Sequence, residues 1–195
     1  MSHSVSTVSL FTWSRSLRIF HVVLILSLVI AYIFSDEETM LIHSWCGYIA
    51  GIMLLWRLGL GIFGSGYERF RKSHASLTEL FRSPLQSLRA SSLDYRGHTP
   101  PAAFVMLLIL IALASTVVSG MMAQGAMEFE GFFVTLFMDV DVSTARNILR
   151  WHEWSINILL ILSAAHLGGV LKDQILHKSH VIQAMITGYK EQYVR

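Results

Sequence analysis

Four long apolar runs leave this chain few folds to choose from. They cover roughly residues 17–34, 41–63, 101–122 and 148–171. Crossing the hydrocarbon core of a bilayer takes about 20 residues of helix. A segment in lipid must also satisfy its own backbone hydrogen bonds, which a helix does. The expected fold is all-α: an integral-membrane four-helix bundle, one transmembrane domain over 1–195 that closes in a tail at 172–195. Composition agrees, with 53% hydrophobic and 14% charged residues, where soluble domains carry about 25% charged. The first run is slightly short, but Trp13 and Tyr32 can hold its ends at the interface. No small-residue cleavage site follows its apolar core, so it reads as a retained span and not a removed signal.

The charges between the runs give an orientation. The N-terminal segment carries Arg15 and Arg18. The connection over 64–99 carries Arg69, Arg71, Lys72, Arg82, Arg89 and Arg96, and the tail carries Lys172, Lys178, Lys190 and Arg195. The first connection, "SDEETM", is purely acidic, and the third sets Glu128, Glu130, Asp139 and Asp141 against Arg146 and Arg150. The positive-inside rule then places both termini and the second connection in the cytoplasm.

Local signals mark a few boundaries. "GHTPP" offers Thr99 as a helix N-cap and Pro100 at the first helical position, where its missing N–H costs nothing. "SLTELFRSPLQSLR" reads as short surface helices broken at Pro84. "EFEGFFVTLFMDV" is apolar and acidic together and is expected on the membrane surface or against the bundle.

Several chemistries are excluded early. Cys46 is the single cysteine, so an internal disulfide, a thiolate zinc site and a cysteine-held iron–sulfur cluster are ruled out. No CxxCH is present for covalent haem attachment. A net charge of +2 says little about partners; membrane lipid and redox partners are expected, and no nucleic acid.

Four of the nine histidines fall in the spans: His21 in the first, His43 in the second, His152 and His166 in the fourth. Ionisable residues inside membranes are rare and usually functional. The plain alternative for each is a neutral imidazole bonded to a neighbouring helix. Their depths argue for more. With the orientation above, His43 and His152 lie toward the outer face and His21 and His166 toward the inner one. His152 and His166 are fourteen residues apart; at 3.6 residues per turn they return to within about 40° of one face after a rise of about 21 Å. One helix thus carries two imidazoles on one stripe, each with a partner at its own depth.

That arrangement suits two non-covalent b haems stacked across the bilayer, the outer one held by His43 and His152 and the inner one by His21 and His166. Haem iron takes axial ligands from opposite faces, whereas a zinc site would need four ligands close together. Two histidines per iron leave no open position, so the implied chemistry is electron transfer. Gly47, Ala50 and Gly51 share the His43 side of their helix, where small residues admit a flat macrocycle or simply close helix packing. Arg57 lies fourteen residues past His43 at the inner end. A buried arginine needs an anion, and a propionate of the inner haem is the candidate. Cys46 reads as a wall residue, and Trp45, Trp151 and Trp154 as interfacial belt residues.

The blocks "RIFH", "HSWCGYIAG", "RLGLGIFGSGYERF", "YRGHTPP", "RWHEWSINILLILSAAHLGGVL" and "HKSHVIQAMITGYK" resemble, in order, those of the bacterial cytochrome b561 family. That family includes the cytochrome b subunits of nickel–iron hydrogenases. The resemblance covers nearly the whole chain, and the histidine pair of the fourth span is its most specific element. Leu60 stands where a tryptophan is usual, and "GHTPP" replaces "GHNP". The resemblance implies a di-haem membrane subunit of the bacterial inner membrane. Such subunits pass electrons between the quinone pool and a periplasmic partner, a c-type cytochrome or a hydrogenase; any quinone oxidoreductase activity requires that partner. It implies the same ligand pairing. His98 is a possible quinone residue, since imidazole titrates near neutral pH; its plain alternative is a loop histidine bonding a propionate or a carbonyl. Two other classes stay open at this level: a histidine-relay transporter or metal-binding membrane protein, and a structural anchor for an enzyme complex.

Overall fold

The computed structural model describes residues 6–11, 13–65, 68–70, 100–176 and 180–194. Strand β1 (Ser6–Phe11) leads into helix α1 (Arg15–Ile33). A short 3-10 turn at Glu37–Thr39 precedes α2 (Met40–Phe63). Helix α3 (Pro100–Ala123) ends in a π-helical turn at Gln124–Glu128, and α4 (Val134–Phe137) is a single turn. Helix α5 (Val142–Leu176) is the longest, followed by α6 (Val181–Thr187) and strand β2 (Tyr189–Val194). The expected surface helices around Pro84, the Thr99 cap and His98 lie outside the described residues.

The all-α class expected from the apolar runs is what forms. Among the described residues, four helices are long and apolar enough to cross a membrane. Their side chains explain why. Ile25, Leu26, Ile52, Leu55, Ile111 and Ile161 are all exposed, and apolar surface of that extent on several faces belongs in lipid. Helix α1 starts where Ser14 Oγ accepts from the Leu17 N–H at 3.2 Å, an N-cap in the usual geometry. Helix α3 begins at Pro100, as its first-turn preference demands.

Two features differ from the expectation. Helix α5 starts at Val142, not near residue 148, because Asp141 caps it. The Asp141 carboxylate accepts from the Ser143 and Thr144 backbone N–H groups at 2.9 and 3.1 Å and from both their hydroxyls. At 1.5 Å per residue, its 35 residues run about 52 Å, well past a hydrocarbon core of about 30 Å. The second difference is the β1–β2 ribbon, antiparallel from Ser6↔Val194 to Phe11↔Tyr189.

The chain divides into two compact units. One comprises the described parts of 1–20, 57–106 and 164–195. Here β1 pairs with β2, and the Trp13 N–H donates to the Gly188 carbonyl at 3.1 Å. Gly188 has φ 91°, the left-handed conformation that closes α6, and its N–H returns to the Ala184 carbonyl at 2.8 Å. A Cβ there would also meet the Trp13 carbonyl at 3.0 Å. The Arg18 guanidinium donates to the Ile186 carbonyl, one of the unpaired acceptors at the α6 terminus.

The other unit comprises 21–56 and 107–163, with segments of all four long helices. Leu113 and Leu159 are buried there, at 0% and 2% exposure. Gly51 lets α2 approach α3, since a Cβ would stand 3.1 Å from Val117 Cγ1. Ala123, Ala126, Ala145 and Ile148 form a small core against which Phe137 and Val140 pack. The acidic, apolar stretch 128–140 is thus partly seated on protein, while Phe132 and Leu136 stay exposed.

Candidate functional site

His43 sits one turn into α2, just after the acidic turn at Glu37–Thr39. Its Nδ1 lies 2.8 Å from the Ala31 carbonyl. Ala31 is among the last four residues of α1, whose carbonyls have no partner within the helix. A carbonyl can only accept, so Nδ1 carries a proton, and in the neutral ring Nε2 keeps its lone pair.

His152 repeats the arrangement on α5. Its Nδ1 lies 2.9 Å from the Thr116 carbonyl of α3 and 3.3 Å from Ser119 Oγ. The ring can come this close because residue 120 is glycine: a Cβ there would stand 2.9 Å from His152 Cε1 and 3.2 Å from Nδ1. The two imidazoles meet with ring centroids 6.0 Å apart and planes at 82°. Metal–imidazole bonds run about 2.0–2.1 Å for a first-row ion such as Zn²⁺. Two of them, with the half-widths of two rings, come close to that separation.

Ring nitrogens fixed by carbonyl acceptors are the usual setting of metal-bound histidines, because the second bond orients the ring and raises its basicity. Among the described residues no group of three or more His, Cys, Asp or Glu gathers to hold a metal ion. Among the described residues the pair has no third ligand beside it. It fits axial ligation of a haem iron, which asks for two imidazoles with free Nε2 atoms and no third ligand.

The surroundings are polar in a narrow strip. Ser115 Oγ and Ser155 Oγ are 2.9 Å apart, and Trp151 Nε1 donates to Ser115 Oγ at 3.0 Å. Trp151, expected only as a belt residue, thus also ties α5 to α3. Tyr48 donates to Gln124 Oε1 at 2.6 Å. A cleft of about 360 Å³ beside the start of α2 is lined by Glu37, Met40, Leu41, Ser44, Gln124, Glu128 and Glu130. Of the three small residues near His43, Ala50 is buried and Gly51 serves helix packing. Gly47, one turn from His43, has nothing within 4 Å of where a Cβ would stand.

The other expected residues are placed one by one. His21 is half-buried on α1, and His166 is half-buried on α5, fourteen residues beyond His152 on one unbroken helix. Arg57, near the end of α2, donates from Nη1 to the Glu68 carbonyl at 3.3 Å, and its guanidinium lies 4.4 Å from the Phe70 ring centre. Gly61 makes room for that ring, which would overlap a Cβ. His98 lies outside the described residues. Reading the sequence alone passes over Ala31, Thr116, Ser119 and Gly120. The signal available was the hydroxyl and glycine positions of "STVVSG", at helical spacing in an otherwise apolar span.

A family model described as prokaryotic cytochrome b561 matches residues 12–188. No curated protein and no solved structure matches.

Proposed function

This chain belongs to the prokaryotic cytochrome b561 family, and from that premise we propose that it is a di-haem electron conduit of the bacterial inner membrane. The coarser part follows from the family: a bacterial membrane protein, a b-type cytochrome that binds haem and serves electron transfer. The finer part is our reading. His43 and His152 hold one haem b, and His21 and His166 hold a second. The observation that carries it is the His43–His152 pair, with ring centroids 6.0 Å apart and each Nδ1 committed to a backbone carbonyl.

Bound haem supplies a one-electron couple at iron. The chain's own residues do the rest. His43 and His152 would hold the haem between them and would leave its iron no open site for substrate. Carbonyls of Ala31 and Thr116 hold the two rings in one tautomer, which spares reorganisation as charge changes. The apolar helix faces exclude water. Arg57 would neutralise a propionate of the second haem, and His98 would either exchange a proton with quinone on the cytoplasmic side or, in the plainer reading, bond a propionate or a carbonyl near the Thr99 cap. Both termini face the cytoplasm, and the acidic connections face the periplasm. There the partner docks, a c-type cytochrome or a hydrogenase.

Haem stoichiometry and the optical spectrum of each histidine variant test the reading. The purified chain is expected red, low-spin and with two haems. His43→Ala and His152→Ala should each remove the same haem and leave the other, and His21→Ala and His166→Ala should do the reverse. If His43 and His21 variants deplete the same haem, the pairing is wrong. A colourless protein would sink the reading and leave a histidine relay or a structural anchor.

A further inference from the structure

We infer that Gly120 and Ser119 of α3 are positioning residues for His152, setting how strongly its imidazole donates to the metal it holds. The inference rests on the ligation proposed above and goes beyond it, because neither residue touches the metal.

The geometry assigns each a separate part. Ser119 is 1% exposed. Its hydroxyl proton is committed to its own helix, to the Ser115 carbonyl at 2.6 Å, with the Thr116 carbonyl at 3.2 Å as a weaker acceptor. Toward His152 its oxygen can therefore only accept. The Nδ1–H of His152 is then shared between two acceptors, the Thr116 carbonyl at 2.9 Å and Ser119 Oγ at 3.3 Å. Each acceptor draws the proton away from the ring and increases the basicity of Nε2.

Gly120 acts through space. The Thr116 carbonyl also lies within the α3 ladder, and the His152 ring reaches it across the helix surface at residue 120. A methyl group there would stand 2.9 Å from Cε1 and 3.2 Å from Nδ1, closer than a ring can tolerate without moving. His43 has no such dependence. Its acceptor, Ala31, is an end-of-helix carbonyl, already open.

A better electron donor stabilises the oxidised iron. Loss of an Nδ1–H acceptor should therefore raise the midpoint potential of the haem that His152 holds, and of that haem alone. Ser119→Ala removes the weaker acceptor. Gly120→Ala pushes the ring off both, so its shift should be the larger.

The test uses the full chain, purified with its haems. Haem content, the ferric low-spin electron paramagnetic resonance signal and a redox titration are recorded for the wild type, Ser119→Ala, Gly120→Ala and His152→Ala. Expected are two haems in Ser119→Ala and an upward potential shift, with a displaced low-spin signal, in the same haem that His152→Ala loses. Gly120→Ala should show a larger shift of that haem or its selective loss. Unchanged signals and potentials in Ser119→Ala and Gly120→Ala would overturn the inference, as would a shift in the other haem. Should Gly120→Ala fail to accumulate, Ser119→Ala decides alone. Retention of two low-spin haems in His152→Ala would instead overturn the ligation itself, an outcome distinct from either.

Discussion

Two imidazoles in the second unit are built by opposite local means. His43 finds a carbonyl left over at the end of α1, and His152 reaches one in mid-helix across a missing side chain. Arg57 is a third polar group with a made-to-measure seat: the Glu68 carbonyl on one side and the Phe70 ring, lying on Gly61, on another. Cation–π contacts of this kind contribute about 0.5–2 kcal/mol. If the charge of Arg57 is also neutralised by a propionate, Arg57→Leu should loosen haem retention more than it moves a potential. Haem dissociation measured beside a redox titration checks this. A large shift at full occupancy would point to a bare positive charge near iron. His98→Ala is expected to keep both haems and their spectra while slowing reduction by a quinol analogue, with partner exchange unchanged. Stopped-flow reduction reads it, and normal quinol kinetics would remove His98 from the quinone site.

At the level of elements, α5 depends on its cap. The hydroxyl of Ser143, then that of Thr144, with their N–H groups, hold the Asp141 carboxyl well below the usual carboxylate range. A carboxylate with a lowered folded pKa gives stability that is complete above its unfolded value, about 3.9. That stability is lost as pH falls through the folded value. Asp141→Ala should lower the thermal midpoint at pH 6, and its deficit against the wild type should shrink as pH falls below about 4. Asp141→Asn, still a good cap, should lose less and show a flatter profile. Melts from pH 6 to 3 in detergent provide the check. This cap also shows where the sequence was readable. The four spans announced themselves by length, since lipid leaves no alternative. The start of α5 did not, because "VSTARN" is polar and continues no apolar run; "DVST" carried the boundary as a capping signal. The histidine stripe was visible through helical period alone. Its acceptors were not, because a backbone carbonyl has no letter in a sequence, and a glycine in an apolar span looks the same whether or not a ring rests on it.

For the molecule as a whole, the orientation is open to direct measurement. Reporters that fluoresce only in the cytoplasm should work at either terminus, and a phosphatase active only in the periplasm should work when inserted after Glu38. Activity of the phosphatase at a terminus would invert the assignment of sides. The β1–β2 ribbon bears on how such a chain is made. Ser6 pairs with Val194, so β1 is synthesised long before its partner. At about 5–20 residues per second, roughly 10–40 s pass on the ribosome between β1 and its partner. Local signals cannot hasten the match, and β1 meanwhile presents two open edges to any neighbouring strand. The four helices can enter the membrane one after another during that interval, each satisfied by its own hydrogen bonds. The ribbon alone must wait until β2 has been made, after all four spans.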